Sequence, residues 1–178
     1  SHLGGPFLVC WGVVDQPLDI DCIRALSDRL EADTIVLAGP HASPDRRLQS
    51  LANVALLSAV EYQELPMLAK STAVLIMPYQ NQAVTRAMQS LKLKEHLPTG
   101  QPVVCRNLPA LTDWRDACDQ FDTGEQFAGI VLRRMDGTLP ESERVARNRL
   151  SSESWSHKAR LLEAVLDQSA LEVCHEHT

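Results

Sequence analysis

Five short runs constrain this chain more than anything else in it. Residues 7–14 (FLVCWGVV), 34–38 (TIVLA), 54–57 (VALL), 73–77 (AVLIM) and 103–105 (VVC) are almost wholly apolar and rich in β-branched side chains. A strand with no polar side needs cover on both faces, which is the condition of a parallel sheet between two helical layers. The intervening segments supply that cover. Ile20, Ile23, Leu26 and Leu30 recur at helical spacing behind Asp19 and Asp21, where acids suit a helix start. Residues 46–51 predict a short helix, and 61–70 another with a boundary at Pro66. Residues 117–121 read as a weak sixth strand, and 124–134 and 141–150 as helices. A last amphipathic helix is expected over 155–166, with Leu161, Leu162, Val165 and Leu166 inward. The expectation is an α/β fold: a Rossmann-like three-layer α/β/α domain with a mostly parallel sheet of about six strands.

With 178 residues, 44% of them hydrophobic, the chain can bury one real core. Residues 1–6 (SHLGGP) read as a linker, 7–168 as the single domain and 169–178 as a tail, with the natural protein starting upstream. The net charge of −6 disfavours a nucleic-acid partner or an anionic membrane surface. No apolar run approaches the roughly 18 residues of a spanning helix. Cysteines at 10, 22, 105, 118 and 174 are odd in number and form no CxxC, as expected of reduced thiols in a cytosolic protein. Cys174-His175-Glu176-His177 offers metal-ligating side chains, but a frayed terminus accounts for it better.

Open parallel sheets bind ligands beyond the carboxyl ends of their strands. Here that edge comprises residues 12–16, 39–40, 58–60, 78–85 and 106–108. The dinucleotide fingerprint GxGxxG, the P-loop, the GxSxG elbow and HExxH are all missing. Asp19 and Asp21 after the first strand suit helix-start acids better than the acidic pair of a signalling domain. The stretch 78–109 (PYQNQAVTRAMQSLKLKEHLPTGQPVVCRNLP) is the most informative. As one helix it would align Val84, Met88, Leu91 and Glu95, with Pro98 ending it early. A carboxylate continuing an apolar stripe is either solvated at a cleft edge or bonded to something specific.

Within this stretch Pro78, Tyr79, Thr85, Ala87, Lys92, Glu95, Leu97, Gly100, Pro102, Val103 and Val104, with Asn81 one residue ahead of the asparagine, match a pattern close to P-Y-x-x-N-x-x-T-x-A-x-x-P-x-K-x-x-E-Y-L-A-x-G-x-P-V-V. The chain thereby resembles the C-terminal, nucleotide-sugar-binding domain of GT-B glycosyltransferases. It is most similar to bacterial family-4-type enzymes of cell-surface polysaccharide and teichuronic-acid synthesis. Gly39-Pro40, Asn53-Val54, Glu64-Leu65-Pro66 and Ser154-Trp155 extend the likeness from residue 7 to about 167.

The resemblance implies roles residue by residue. Glu95 would accept hydrogen bonds from the ribose diol. Asn81, Thr85 and the helix start beside them would face diphosphate or sugar, with positive charge added by Arg86 and Lys92. Tyr79 would stand at a strand end bordering the site, Val60 would border the base, and Gly12 would let the first loop approach the phosphates. Each has a structural alternative: Glu95 as a surface or capping carboxylate, Lys92 and Arg86 as solvated cations, Tyr79 as packing. His96, where the pattern has Tyr, and Trp11 and Trp155 are expected to be structural. Three departures from the wider family bear on phosphate and sugar binding: residues 12–18 lack Arg and Lys, Ala87 stands where many such enzymes, though often not the polysaccharide branch, carry a glutamate, and Ser90 replaces a proline. The implied function is transfer of a sugar from a UDP- or GDP-linked donor to an acceptor hydroxyl, without metal or other cofactor. A second, N-terminal domain would bring the acceptor and make any membrane contact. The implied location is cytoplasmic, with the inner face of the plasma membrane a candidate. No catalytic base is identifiable. The rival readings are a degenerate GT-B-like scaffold for protein contacts and, more distantly, a flavodoxin-like signalling domain.

Overall fold

The computed structural model describes residues 7–164, apart from 16, 42, 89, 90, 155, 158 and 161. Six strands form one parallel sheet in the order β3-β2-β1-β4-β5-β6: β1 Phe7–Trp11, β2 Thr34–Ala38, β3 Val54–Leu57, β4 Thr72–Met77, β5 Val103–Arg106 and β6 Asp119–Phe121. Every residue of β4 and β5 is buried, as continuous apolar runs require. Sequence order reverses between β1 and β4, so their carboxyl ends flank the crevice where such sheets bind ligands.

The helices are short, and α1 and α5 carry side-chain caps. Helix α1 (Ile20–Ser27) starts at Asp19, whose side chain accepts from the Cys22 N–H at 3.1 Å. Helix α2 (Leu65–Lys70) follows a 3₁₀ turn at Tyr62–Glu64 and carries Pro66 in its first turn, where a missing N–H costs nothing. Helix α5 (Gly124–Arg133) opens with a Thr123–Gln126 capping box, and α6 is Glu141–Arg147. The expected short helix at 46–51 is a 3₁₀ turn, Arg46–Ser50. Helix α1 packs on α5, whereas α2 packs on the 3₁₀ turn Leu97–Thr99, so the two sheet faces carry separate helical layers.

The single helix expected across residues 84–95 is not formed. Helix α3 (Ala83–Ala87) ends where Met88 turns extended, with ψ 140°, and α4 (Leu91–His96) begins anew. The predicted stripe therefore does not face the core: Val84, Met88 and Leu91 are exposed. Thr85, Leu93, His96 and Leu97 are buried instead, the last three at helical spacing on one side. Pro98 does stop α4, falling inside the 3₁₀ turn that Gly100 closes with a φ of 79°.

Two buried arginines hold the layers together. Arg106 of β5 donates to the carbonyl oxygens of Tyr79 (2.8 Å) and Asp122 (2.6 Å), pairs with the Asp19 carboxylate and lies 4.6 Å from the Phe121 ring centre. Arg147 of α6 donates to Ala117, Leu97 and Gln101 carbonyls at 2.8–3.1 Å. Cys10, Cys22, Cys105 and Cys118 are buried free thiols, and Cys174 lies outside the described residues. Trp155 and the 175–177 histidine pair also lie outside them, as do Leu161, Val165 and Leu166. Leu162, expected inward, is exposed. Among the described residues no helix is long and apolar enough to cross a membrane.

Candidate functional site

The carboxyl end of β1 is where the expected residues meet. Gly12 follows Trp11 with a φ of +133°, a conformation that L side chains rarely adopt. The space a Cβ would take is occupied by the Lys92 ammonium, whose Nζ lies 2.1 Å from that point. Lys92 Nζ in turn donates to the Tyr79 hydroxyl at 2.9 Å and lies 5.4 Å from the Tyr79 ring centre. Two loop residues and one from helix α4 thus place one half-buried cation at the sheet edge, beside the β1–β4 crevice. Burial raises the Tyr79 pKa, with the Cys10 thiol and Glu95 carboxylate adding to it, so the phenol stays neutral. Burial also lifts the Cys10 thiol to about 11 against the pull of Lys92, which keeps it protonated.

Helix α4 is oriented for this purpose by His96. Its ring is fully buried, stacked on Trp11 with centroids 4.1 Å apart, and its Nδ1 lies 2.5 Å from the Lys92 carbonyl oxygen. A carbonyl only accepts, so Nδ1 carries the proton. Burial pushes the His96 pKa down to about 4, leaving the imidazole neutral. His96 and Trp11 are therefore structural, as expected, and together they fix the turn from which Lys92 projects.

Glu95 is exposed on α4 and has no hydrogen-bond or ion-pair partner among the described residues. It borders a cavity of about 400 Å³ whose walls include Trp11, Tyr62, Leu65, Pro66 and Thr99. Three residues apart on one helix, Lys92 and Glu95 share a side of α4. The carboxylate thus stands between a largely apolar slot and a fixed cation.

The remaining expected residues are placed differently. The Thr85 hydroxyl is fully buried; it accepts from the Gln82 N–H at 2.9 Å and meets the Gln80 and Gln82 carbonyls, so it serves the backbone. Asn81 and Arg86 are exposed, with no side-chain partner among the described residues. Val60, beyond β3, is half-buried against the core. Sequence reasoning did not single out Tyr62, exposed on the cavity rim, or the Arg106 and Arg147 anchors. A tyrosine two residues before the matched Glu64-Leu65-Pro66 was the available signal for Tyr62.

No protein-family model and no curated protein sequence matches the chain. Solved structures do. HepE of Anabaena, solved with UDP and glucose, superposes with a TM-score of 0.67 at 13% identity, over 93% of this chain and 49% of that one. The trehalose 6-phosphate synthase of Burkholderia multivorans gives 0.70 at 16%, over 99% and 45%. AviGT4, a glycosyltransferase of avilamycin A biosynthesis, gives 0.65 at 21%, over 94% and 51%. The chain spans about half the length of these structures. It has the Rossmann-like fold of one half of a GT-B glycosyltransferase.

Proposed function

We propose that this chain is the donor-binding half of a glycosyltransferase that takes a nucleoside-diphosphate sugar, UDP- or GDP-linked, and passes the sugar to an acceptor hydroxyl. The observation that carries the reading is the Lys92 ammonium seated in the Gly12 gap, one helical turn from Glu95 at the mouth of an apolar cavity. A base fits the slot, a ribose diol suits the unpartnered carboxylate, and a diphosphate suits the cation at the sheet edge. Lys92 and the exposed Arg86 supply positive charge for the leaving diphosphate without a metal. Asn81 and the backbone around Thr85 lie on the sugar side, and Val60 on the base side. Similarity in fold to HepE, which was solved with UDP-glucose, agrees with this choice of ligand. A second domain is needed to bring the acceptor and complete the reaction. Cell-surface polysaccharide assembly at the inner face of the plasma membrane is the setting we favour, from the sequence pattern around Glu95.

Titration calorimetry of the chain with UDP, GDP and ADP tests the reading. One of the three is expected to bind, and Glu95→Ala to weaken it by about tenfold or more, the worth of a charge-assisted hydrogen bond. Failure of all three, or an affinity indifferent to Glu95, would overturn it.

A further inference from the structure

The loops at the crevice close on one another: Leu18 and Tyr79 form an antiparallel bridge, with Asp19 N–H to Pro78 O at 2.7 Å and Gln80 N–H to Pro17 O at 2.8 Å. The outer edge of the sheet is open by contrast. Strand β6 is the last in the order, and a shallow groove of about 550 Å³ runs from it onto α5 and the chain just after α1. The lining divides by charge. Asp122 and Glu125 stand where α5 starts, while Arg133 lies in its last turn and Arg29 reaches across from beyond α1. Glu125, Gly129 and Arg133 follow at four-residue spacing and so form one line along the helix, with Gln126 and Ile130 beside it. The side chains of Arg29, Glu125 and Arg133 have no hydrogen-bond or ion-pair partner among the described residues. Arg29 Nη1 and Arg133 Nη1 each lie 3.9 Å from the point where a Gly129 Cβ would stand, so two like charges share one notch.

Helix polarity explains an acid at the start of α5 and a base at its end. It explains neither Arg29, which belongs to another part of the chain, nor Gly129. Glycine inside a helix is less favourable than alanine. A Cβ at Gly129 would meet no atom closer than those two flexible arginine ends, so packing within the described residues does not call for the glycine. A flat spot flanked by unpaired charges suits a surface brought close from outside.

We propose that this surface is the same groove on a second copy of the chain, with the two α5 helices antiparallel about a two-fold axis. A groove acidic at one end and basic at the other complements itself under such an axis. With the axis between Gln126 and Gly129, each Gln126 faces the other copy's Gly129, Asp122 faces Arg133, and Glu125 meets Ile130 and the Arg29 guanidinium beside it. Each of these contacts occurs twice. Gly129 lets the helices approach closely at the centre. An inorganic anion would satisfy the arginines but meet Glu125 one helical turn away, whereas a second copy satisfies both ends. The groove lies beyond β5 and β6 from the β1–β4 crevice, so the proposal stands apart from the donor-binding reading.

The test is sedimentation of the whole chain, with melting curves to confirm that each variant is folded. Helix α5 has ten residues and is about 15 Å long, a small patch for an interface, so a Kd of about 10–100 µM is expected. Arg29→Glu with Arg133→Glu, and separately Asp122→Lys with Glu125→Lys, should each weaken self-association about tenfold or more, because every charge contact becomes a repulsion. An equimolar mixture of the two forms should recover the parent's affinity to within about threefold, since acid again faces base across the axis. Gly129→Gln should weaken the dimer about tenfold while the melting temperature holds or rises. A parent that stays monomeric to about 500 µM overturns the proposal. So does a dimer that neither charge reversal weakens, or a mixture of the two forms that stays monomeric. Inorganic phosphate titrated into the parent and followed by NMR distinguishes the other occupant: shifts of the Arg29 and Arg133 Nε–H groups in a chain that remains monomeric assign the notch to an anion and overturn the dimer.

Discussion

Replacing Gly12 by alanine separates two things the glycine does. Its φ of +133° lies where a side chain is strained, at about 1–3 kcal/mol. The new Cβ would also stand 2.1 Å from Lys92 Nζ and 2.8 Å from its Cε. The obstructing atoms are the free end of a flexible side chain, so the lysine gives way and loses its bond to Tyr79, worth about 1 kcal/mol at a half-exposed position. Together these predict a loss of about 2–4 kcal/mol, or a melting temperature lower by roughly 5–15 °C for a domain of this size. UDP affinity should fall about tenfold, as one phosphate contact is misplaced. The assay is a double-mutant cycle with Lys92→Ala, read by calorimetry for binding and urea unfolding for stability. In the Lys92→Ala background, Gly12→Ala should leave UDP affinity within about twofold while the backbone part of the stability loss persists. An undiminished drop in affinity there would refute the claim that Gly12 acts by making room for the lysine.

Three further outcomes follow from the same geometry. Gly39→Ala should be more damaging than Gly12→Ala, about 3–5 kcal/mol in urea unfolding, because its Cβ would fall 1.9 Å from the Gly12 carbonyl oxygen, a backbone atom that cannot swing away; rescue by Lys92→Ala would contradict this. Arg106→Ala should cost about 3–5 kcal/mol by leaving the Asp19 carboxylate without its cation and two carbonyls without their donor, and a melting temperature within about 2 °C of the parent would count against it. His96 titrates near 4 when folded against about 6.5 when free, so the unfolded chain binds the extra proton between those values. Its stabilisation is complete above about pH 6.5 and lost as pH falls toward 4, on the order of 3 kcal/mol in all; urea curves at pH 7 and 4.5 should show the loss, and His96→Phe should flatten it.

The sheet was legible because the first five strands are built on short, almost wholly apolar runs rich in β-branched residues, which need cover on both faces. Even the weak sixth strand holds, in shortened form, as Asp119–Phe121. The connection between β4 and β5 was legible in content but not in shape. Val84, Met88 and Leu91 have helical spacing, yet they are exposed, while a threonine and a histidine take the buried positions. Polar side chains satisfied by backbone carbonyls carry no hydrophobic signature, so periodicity assigned the wrong face. The same reason hid Arg106 and Arg147: each spends its guanidinium mainly on main-chain oxygens, which every residue possesses. Of the candidate site, Gly12, Lys92 and Tyr79 were identified as residues, but their mutual contact depends on a positive φ that sequence spacing cannot reveal.

The bridge between Leu18 and Tyr79 has a calorimetric consequence. The loops after β1 and β4 are tied together by the chain's own main-chain bonds and by Arg106 beneath Tyr79. Little loop ordering is then left for a ligand to drive. Nucleotide binding should carry only the small negative heat-capacity change of covering one base and one ribose, well short of the signature of coupled folding. Affinity gained by stiffening these loops further would be slight, and the productive place to alter the site is its side chains.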